Sequence, residues 1–195
     1  MLLAAILAQL ALLPASQAPS PPADTAPAPS IQSEWIVGVG FAHSVQLFQS
    51  DANRKYVVQN VSWGRELTRS RGAGLLRGRF TWAAEVMPVF FQTAPTHVYG
   101  VGVVPVVWRW NFSPQRRWSA FAELAMGGLW TTDPVPEETR SVNFTAHWGG
   151  GVRVPGSARH AFVLGYRFQH ISNGNQLRTN PGVNSHVLMA GWSVK

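Results

Sequence analysis

From about residue 35 to its end, the chain alternates between bulky apolar residues and small, polar or charged ones. Successive side chains of a strand point to opposite faces, so a period of two predicts strands that bury one face in an apolar medium. The pattern predicts eight of them, near 35–45, 55–67, 75–92, 97–112, 118–131, 141–154, 161–172 and 184–195. The breaks read SDANR, TRSRGAG, TAPT, SPQRR, TDPVPEETR, PGSARH and NGNQLRTNPGV. Each carries the Gly, Pro, Asn, Asp or Ser that ends a strand and reverses the chain. Sequential hairpins are the natural connection.

The two faces differ in kind. On the fourth segment Val98, Val104, Val106, Trp108, Trp110 and Phe112 are expected on one face, with Tyr99, Arg109 and Asn111 on the other. On the fifth, Trp118, Leu124, Met126 and Trp130 oppose Ser119, Glu123 and Gly127; on the sixth, Val142, Phe144, Trp148 and Val152 oppose Asn143, Thr145, His147 and Arg153. On the seventh, Phe162, Leu164, Tyr166 and Phe168 oppose Gly165, Arg167 and Gln169. An eight-stranded barrel encloses a space just wide enough to fill with side chains. It cannot hold so many Trp, Phe and Leu residues. It can hold glycines and an ion network among Arg79, Glu85, Arg109, Glu123, Arg153 and Arg167. Trp35, Trp108, Trp110, Trp118 and Trp130 fall toward strand ends, where interfacial girdles sit. The apolar face therefore meets lipid, and the sheet must close, because hydrocarbon does not tolerate an open edge. The expected fold is all-β: an eight-stranded antiparallel up-and-down transmembrane barrel over 34–195, integral to the outer membrane of a Gram-negative cell. One detail departs from such barrels, which commonly finish on an aromatic residue: this chain ends Trp192-Ser193-Val194-Lys195.

Residues 1–18 form a short apolar run ending Ser16-Gln17-Ala18, close to the small-x-small end of a secretory signal peptide. Residues 19–33, beginning PSPPADTAPAPS, are a Pro/Ala-rich linker with no means of packing a core. The chain has no cysteine, which excludes disulfides and thiolate metal sites. Its net charge of +7 would suit nucleic acid, an anionic membrane surface or a phosphorylated substrate. Nucleic acid is excluded by the pattern: lysine occurs only at Lys55 and Lys195, and the arginines stand singly or in turns, as Arg69, Arg71, Arg116, Arg117 and Arg159 do. His43, His97, His147 and His160 have no metal-ligand spacing and read as lumen, interface or turn residues.

Chemistry is expected on the seventh strand. His170 and Ser172 share the parity of Phe162, Leu164, Tyr166 and Phe168, so they face lipid near the outer end of that strand. Residues two apart on one face have Cβ atoms about 6.5–7 Å apart, within reach of an imidazole–hydroxyl hydrogen bond. A serine hydroxyl needs such a base to act as a nucleophile at neutral pH. Position alone does not demand catalysis, since polar residues at the interface cost only about 0–1 kcal/mol.

The segment Arg167-Phe168-Gln169-His170-Ile171-Ser172-Asn173-Gly174, followed by Asn180-Pro181-Gly182, resembles the PagL-type lipid A 3-O-deacylases. These are eight-stranded outer-membrane barrels with a histidine-x-serine-asparagine motif on the outer surface. The resemblance implies hydrolysis of an ester-linked 3-hydroxyacyl chain of lipid A, with His170 as base and Ser172 as nucleophile. It places Asn173 and Gly174 near the oxyanion site, with Asn180 beside them. No cofactor is implied. Where the family carries a glutamate twelve residues after the serine, this chain has Asn184. An amide can accept from an imidazole N–H and fix its tautomer, but it supplies no negative charge. Asn184→Glu is therefore expected to raise activity if the amide is a weakened third member. His186 is a lesser candidate helper, and Glu137 and Glu138 lie in a different loop. Arg178 could meet a lipid A phosphate or stand solvated. The expected partners are lipopolysaccharide and outer-membrane lipid, and a homodimer is compatible with the pattern. The rival reading is a non-catalytic barrel with an adhesion or envelope-structural role, favoured by the missing acid.

Overall fold

The computed structural model describes residues 31–195 apart from Phe48, 114–116 and 177–179. The expected leader and residues 19–30 of the expected linker lie outside the described residues, as do Arg116 and Arg178. Eight strands follow in order: β1 (Ser33–Val45), β2 (Lys55–Glu66), β3 (Gly78–Ala94), β4 (Val98–Phe112), β5 (Ser119–Thr131), β6 (Val142–Pro155), β7 (His160–Ser172) and β8 (Val183–Val194). Each pairs antiparallel with the next, and β8 closes on β1 from Trp35↔Val194 to Val45↔Asn184. Every strand therefore has two partners, and no ladder edge is left for lipid to meet. Among the described residues no helix is long and apolar enough to cross a membrane. The chain forms a closed eight-stranded antiparallel β-barrel.

The alternation inferred from sequence holds along most strands. Trp35, Phe41, Trp108, Leu124, Trp130, Phe144, Trp148, Leu164, Leu188 and Trp192 stand on the outer wall. Two stretches overturn the expected parity. Register shifts fall between Met87 and Phe90 in β3 and between Val103 and Val106 in β4, around Pro88 and Pro105. Proline has no N–H to give the ladder and is accommodated in strands at such bulges. One extra residue reverses the phase. Val98 and Val104, expected on the lipid face with Trp108, instead point inward and are almost fully buried, while Tyr99, Val101 and Val103 face out. The expected start of the third strand at residue 75 is also corrected. Gly74–Leu76 form a short 3-10 turn, following a reversal at Gly72 (φ +83°), and β3 begins at Gly78.

The lumen is zoned. Toward the end where β1 begins and β8 finishes, Arg153 binds Glu34 (2.7 and 2.8 Å), Arg109 binds Glu123 (2.9 and 3.0 Å), and Arg167 bridges Glu123 (2.8 Å) and Glu85 (2.7 and 2.9 Å). Phe121 lies between the Arg109 and Arg153 guanidiniums, 5.2 and 4.5 Å from its ring centre. Buried charges persist only when paired and hydrogen-bonded, and here three guanidiniums meet three carboxylates. Arg79, which the sequence reading placed in this network, is not part of it; it pairs with Glu66 (2.8 Å) nearer the mouth. Toward the other end, which we call the outer end, the lumen is filled by Ala42, Tyr56, Val58, Met87, Phe90, Val98, Leu129, Ile171, Val183 and Val187. Val135, from the β5–β6 loop, caps this cluster.

Candidate active site

β7 and β8 run side by side with His170 opposite Asn184, and Ile171 opposite Val183. On the other side of β7, β6 sets Ala146 opposite His170 and Phe144 opposite Ser172. Ile171 and Val183 turn into the apolar lumen and are completely buried. That fixes the parity of their neighbours: His170 projects outward and is exposed, while Ser172, at the strand's last position, is covered to within 9%. Gly174, in a left-handed turn (φ +64°), lies over the Phe144 ring; a β-carbon there would come within 2.9 Å of it. The outward alternation thus carries the proposed base and nucleophile to the same wall, at the outer end.

Asn184 is the residue nearest to the imidazole by hydrogen bonding. His170 Nδ1 lies 2.8 Å from Asn184 Oδ1, and Asn184 Nδ2 donates to the Leu47 carbonyl at 3.1 Å. These two contacts determine the proton's place. A carbonyl oxygen only accepts, so the amide must turn its NH2 to Leu47 and its oxygen to the imidazole. That oxygen likewise only accepts, so Nδ1 carries the ring proton. In the neutral imidazole Nε2 then keeps its lone pair, the arrangement a general base requires.

The Nε2 side is confined by Gly182. A β-carbon on that residue would come within 2.8 Å of His170 Cε1 and 3.5 Å of Nε2. Gly182 has φ +65°, a conformation that favours glycine, so space and backbone both restrict the position. Among the described residues no hydrogen bond joins Ser172 Oγ to the imidazole. Apo sites often hold such pairs loosely, tightening them only with substrate. The Asn173 amide, directly after the serine, donates to Asn180 Oδ1 at 3.0 Å, and Asn180 Nδ2 donates to Asn175 Oδ1 at 2.9 Å. Asn173, Gly174 and Asn180 are therefore brought together around the end of β7.

Other candidates are placed elsewhere. His186 Nδ1 is 2.6 Å from the Tyr166 hydroxyl, and the ring packs edge-on to Phe168, with no recorded bond to His170. Glu137 is bound to Arg54 rather than turned toward His170. The Arg54 guanidinium holds this carboxyl below the usual glutamate range, outweighing the upward push of partial burial. His147 is a lumen residue, its Nε2 3.7 Å from Glu123. His97 packs against Phe91 with the rings tilted at 51°, and His160 accepts from Trp192 Nε1 at 3.3 Å. Among the described residues no three His, Asp or Glu side chains cluster as a metal site would need. Leu47 was invisible to sequence reasoning, because it acts through its backbone carbonyl and any side chain would carry that group.

The comparisons bear on the family and the fold. The family model described as "Lipid A 3-O-deacylase (PagL)" matches residues 37–193. The crystal structure of the outer-membrane enzyme PagL superposes with a TM-score of 0.59 at 16% identity, covering 82% of this chain and 99% of that one. Neisserial surface protein A superposes with a TM-score of 0.54 at 16% identity, over 84% of this chain and 96% of its own. At such identities the structural likenesses speak for the fold alone. No curated protein sequence matches. The family match runs from β1 to β8, spanning the barrel and its His170–Asn184 pair: the chain belongs to the lipid A 3-O-deacylase family.

Proposed function

We propose that this barrel hydrolyses an ester-linked 3-hydroxyacyl chain of lipid A in the outer leaflet, through Ser172, His170 and Asn184. The observation that carries the reading is the Leu47–Asn184–His170 relay, which leaves Nε2 as the free base on the outward wall. Nε2 takes the proton of Ser172 as Oγ bonds to the ester carbonyl carbon. The tetrahedral intermediate collapses, the sugar oxygen leaves with the proton from the imidazolium, and an acyl-serine remains. Water, deprotonated by Nε2, attacks that ester; Ser172 Oγ leaves with the proton from the imidazolium, and the carboxylic acid product ionises by giving its proton to solvent.

Negative charge on the carbonyl oxygen needs N–H donors. The Asn173 amide is aimed at an acceptor oxygen, that of Asn180. Substrate would replace this carboxamide oxygen with its own, with the Gly174 amide alongside. Asn184 orients the imidazole by hydrogen bonding but adds no charge to offset the imidazolium. The substrate's location fits the site: lipid A belongs to the leaflet that an outward site at this end would meet.

The rival reading is a non-catalytic barrel, and the amide at 184 together with the unformed Ser172–His170 bond is what favours it. Lipid A incubated with the refolded protein and weighed by mass spectrometry separates the two. Loss of one hydroxyacyl chain, absent with Ser172→Ala, is the expected result; an unaltered spectrum from folded protein would establish the rival.

A further inference from the structure

The site's third member is held by a loop 137 residues away in sequence. The connection between β1 and β2, of which 46–47 and 49–54 are described, touches both residues that flank the imidazole. Its Leu47 carbonyl takes the Asn184 amide, and its Asp51 N–H donates to the Gly182 carbonyl at 2.9 Å, making a bridge between Asp51 and Val183. The Leu47 carbonyl is itself fixed in direction. It also accepts from Ser50 N at 2.9 Å, while Ser50 Oγ accepts from Leu47 N (3.1 Å) and donates to Val45 O (3.0 Å).

What keeps the loop in this shape is Arg54, whose side chain is 1% exposed. Its Nε donates to Asp51 Oδ2 at 2.7 Å, and Nη1 donates to Gln92 in β3 at 3.1 Å. Nη2 binds both Asp51 and Glu137, the latter from the β5–β6 loop. Its backbone is locked to Ser44 in both directions, at 2.8 and 2.9 Å. A buried guanidinium with every nitrogen engaged is a fixed point, and its planar fork holds several acceptors in one geometry.

We infer that Arg54, through Asp51 and the turn at Ser50, is a positioning residue for the reaction: it holds the Leu47 carbonyl where it dictates the orientation of Asn184 and hence the tautomer of His170. The need follows from the amide itself. A carboxylate presents an acceptor whichever oxygen faces the ring; an asparagine offers either an acceptor or a donor. Without Leu47 the amide can flip, and its NH2 would then favour the tautomer with the lone pair on Nδ1, stripping Nε2 of its basic role. The clamp thus makes an amide serve where the family has an acid. This inference rests on the Ser172–His170 reading.

The test uses full-length, refolded barrel with 15N-labelled histidine, in detergent micelles containing lipid A. Wild type should show His170 protonated at Nδ1. Arg54→Met should mix the two tautomers and lower kcat by about tenfold or more, with KM little altered, as expected of a misoriented group rather than a lost binding contact. Arg54→Lys should restore part of both, and Arg79→Gln, at the opposite end, should change neither. If Arg54→Met does not fold, Ser50→Ala loosens the same carbonyl and carries the same expectations. Wild-type kcat in a folded Arg54→Met or Ser50→Ala barrel overturns the inference, as does a reduced kcat with the tautomer unmoved. Should wild type leave lipid A intact, the deacylase reading fails, while the tautomer comparison still decides whether the clamp orients the amide.

Discussion

The two halves of the barrel solve one problem differently. Near the end where β1 begins and β8 finishes the lumen is filled with ions: Glu34, Glu85 and Glu123 against Arg109, Arg153 and Arg167. Near the outer end it is filled mainly by apolar side chains, with Tyr56, Gln169 and Thr145 hydrogen-bonded among them, and above this layer Arg54 ties Asp51 and Glu137. An ion layer fills a narrow lumen well, but each member depends on its partners. An apolar layer is held by packing and is indifferent to such pairing. The candidate site stands on the second kind of wall, with Ile171 and Val183 as its inner face. On the proposed reading, the ion network serves the fold alone and the chemistry belongs to the other end of the tube.

The comparison can be broken most forcefully at Glu123. Glu123→Gln removes the charge shared by Arg109 and Arg167, and leaving buried guanidiniums so exposed to imbalance should cost about 3–5 kcal/mol. Urea titration of the folded barrel would read this, while kcat of the folded fraction should stay at the wild-type value. A large fall in kcat would refute the division of labour. Ile171→Ala comes next. Truncating this fully buried side chain should cost about 2–4 kcal/mol, and because His170 and Ser172 flank it, kcat should fall as well. An unchanged kcat would show that the apolar layer only fills space.

The smallest effect concerns acid. With Arg54 holding the Glu137 carboxyl below its ordinary range, that contribution is complete at neutral pH and is lost as pH falls through the lowered value. Glu137 is more than half exposed, so solvent screens the pair and the effect is modest. Proteolysis of the 46–54 loop by an acid-active protease should accelerate on acidification in wild type and be insensitive to it in Glu137→Gln. Equal pH dependence in both would remove Glu137 from the clamp.

How much of this was legible in the chain varies by residue. Strand count and connections follow from a local period of two, and the structure repeats them closely; the same period set His170, Ser172 and Asn184 at one parity, and of these His170 is exposed while Ser172 and Asn184 are buried. The inversion at Val98 and Val104 was missed because a bulge shifts phase without changing composition; Pro88 and Pro105 were its visible trace. The partners within the lumen were partly read. Five of the six expected members of the ion network are there, but Glu34 was overlooked and Arg79 belongs to Glu66.

The sequence by itself determined that the chain closes into a lipid-facing barrel and that His170 and Asn184 come from its last two strands. Alternation needs only neighbours along the strand, so it is written in consecutive residues. The tertiary structure alone decided that Leu47 meets Asn184, that Gly182 covers the imidazole and that Arg54 binds Glu137. Those contacts depend on the register of β1 against β8 and on how two loops fold over the rim. Both are settled only when the sheet closes, because until then residues 47 and 184 lie at opposite edges.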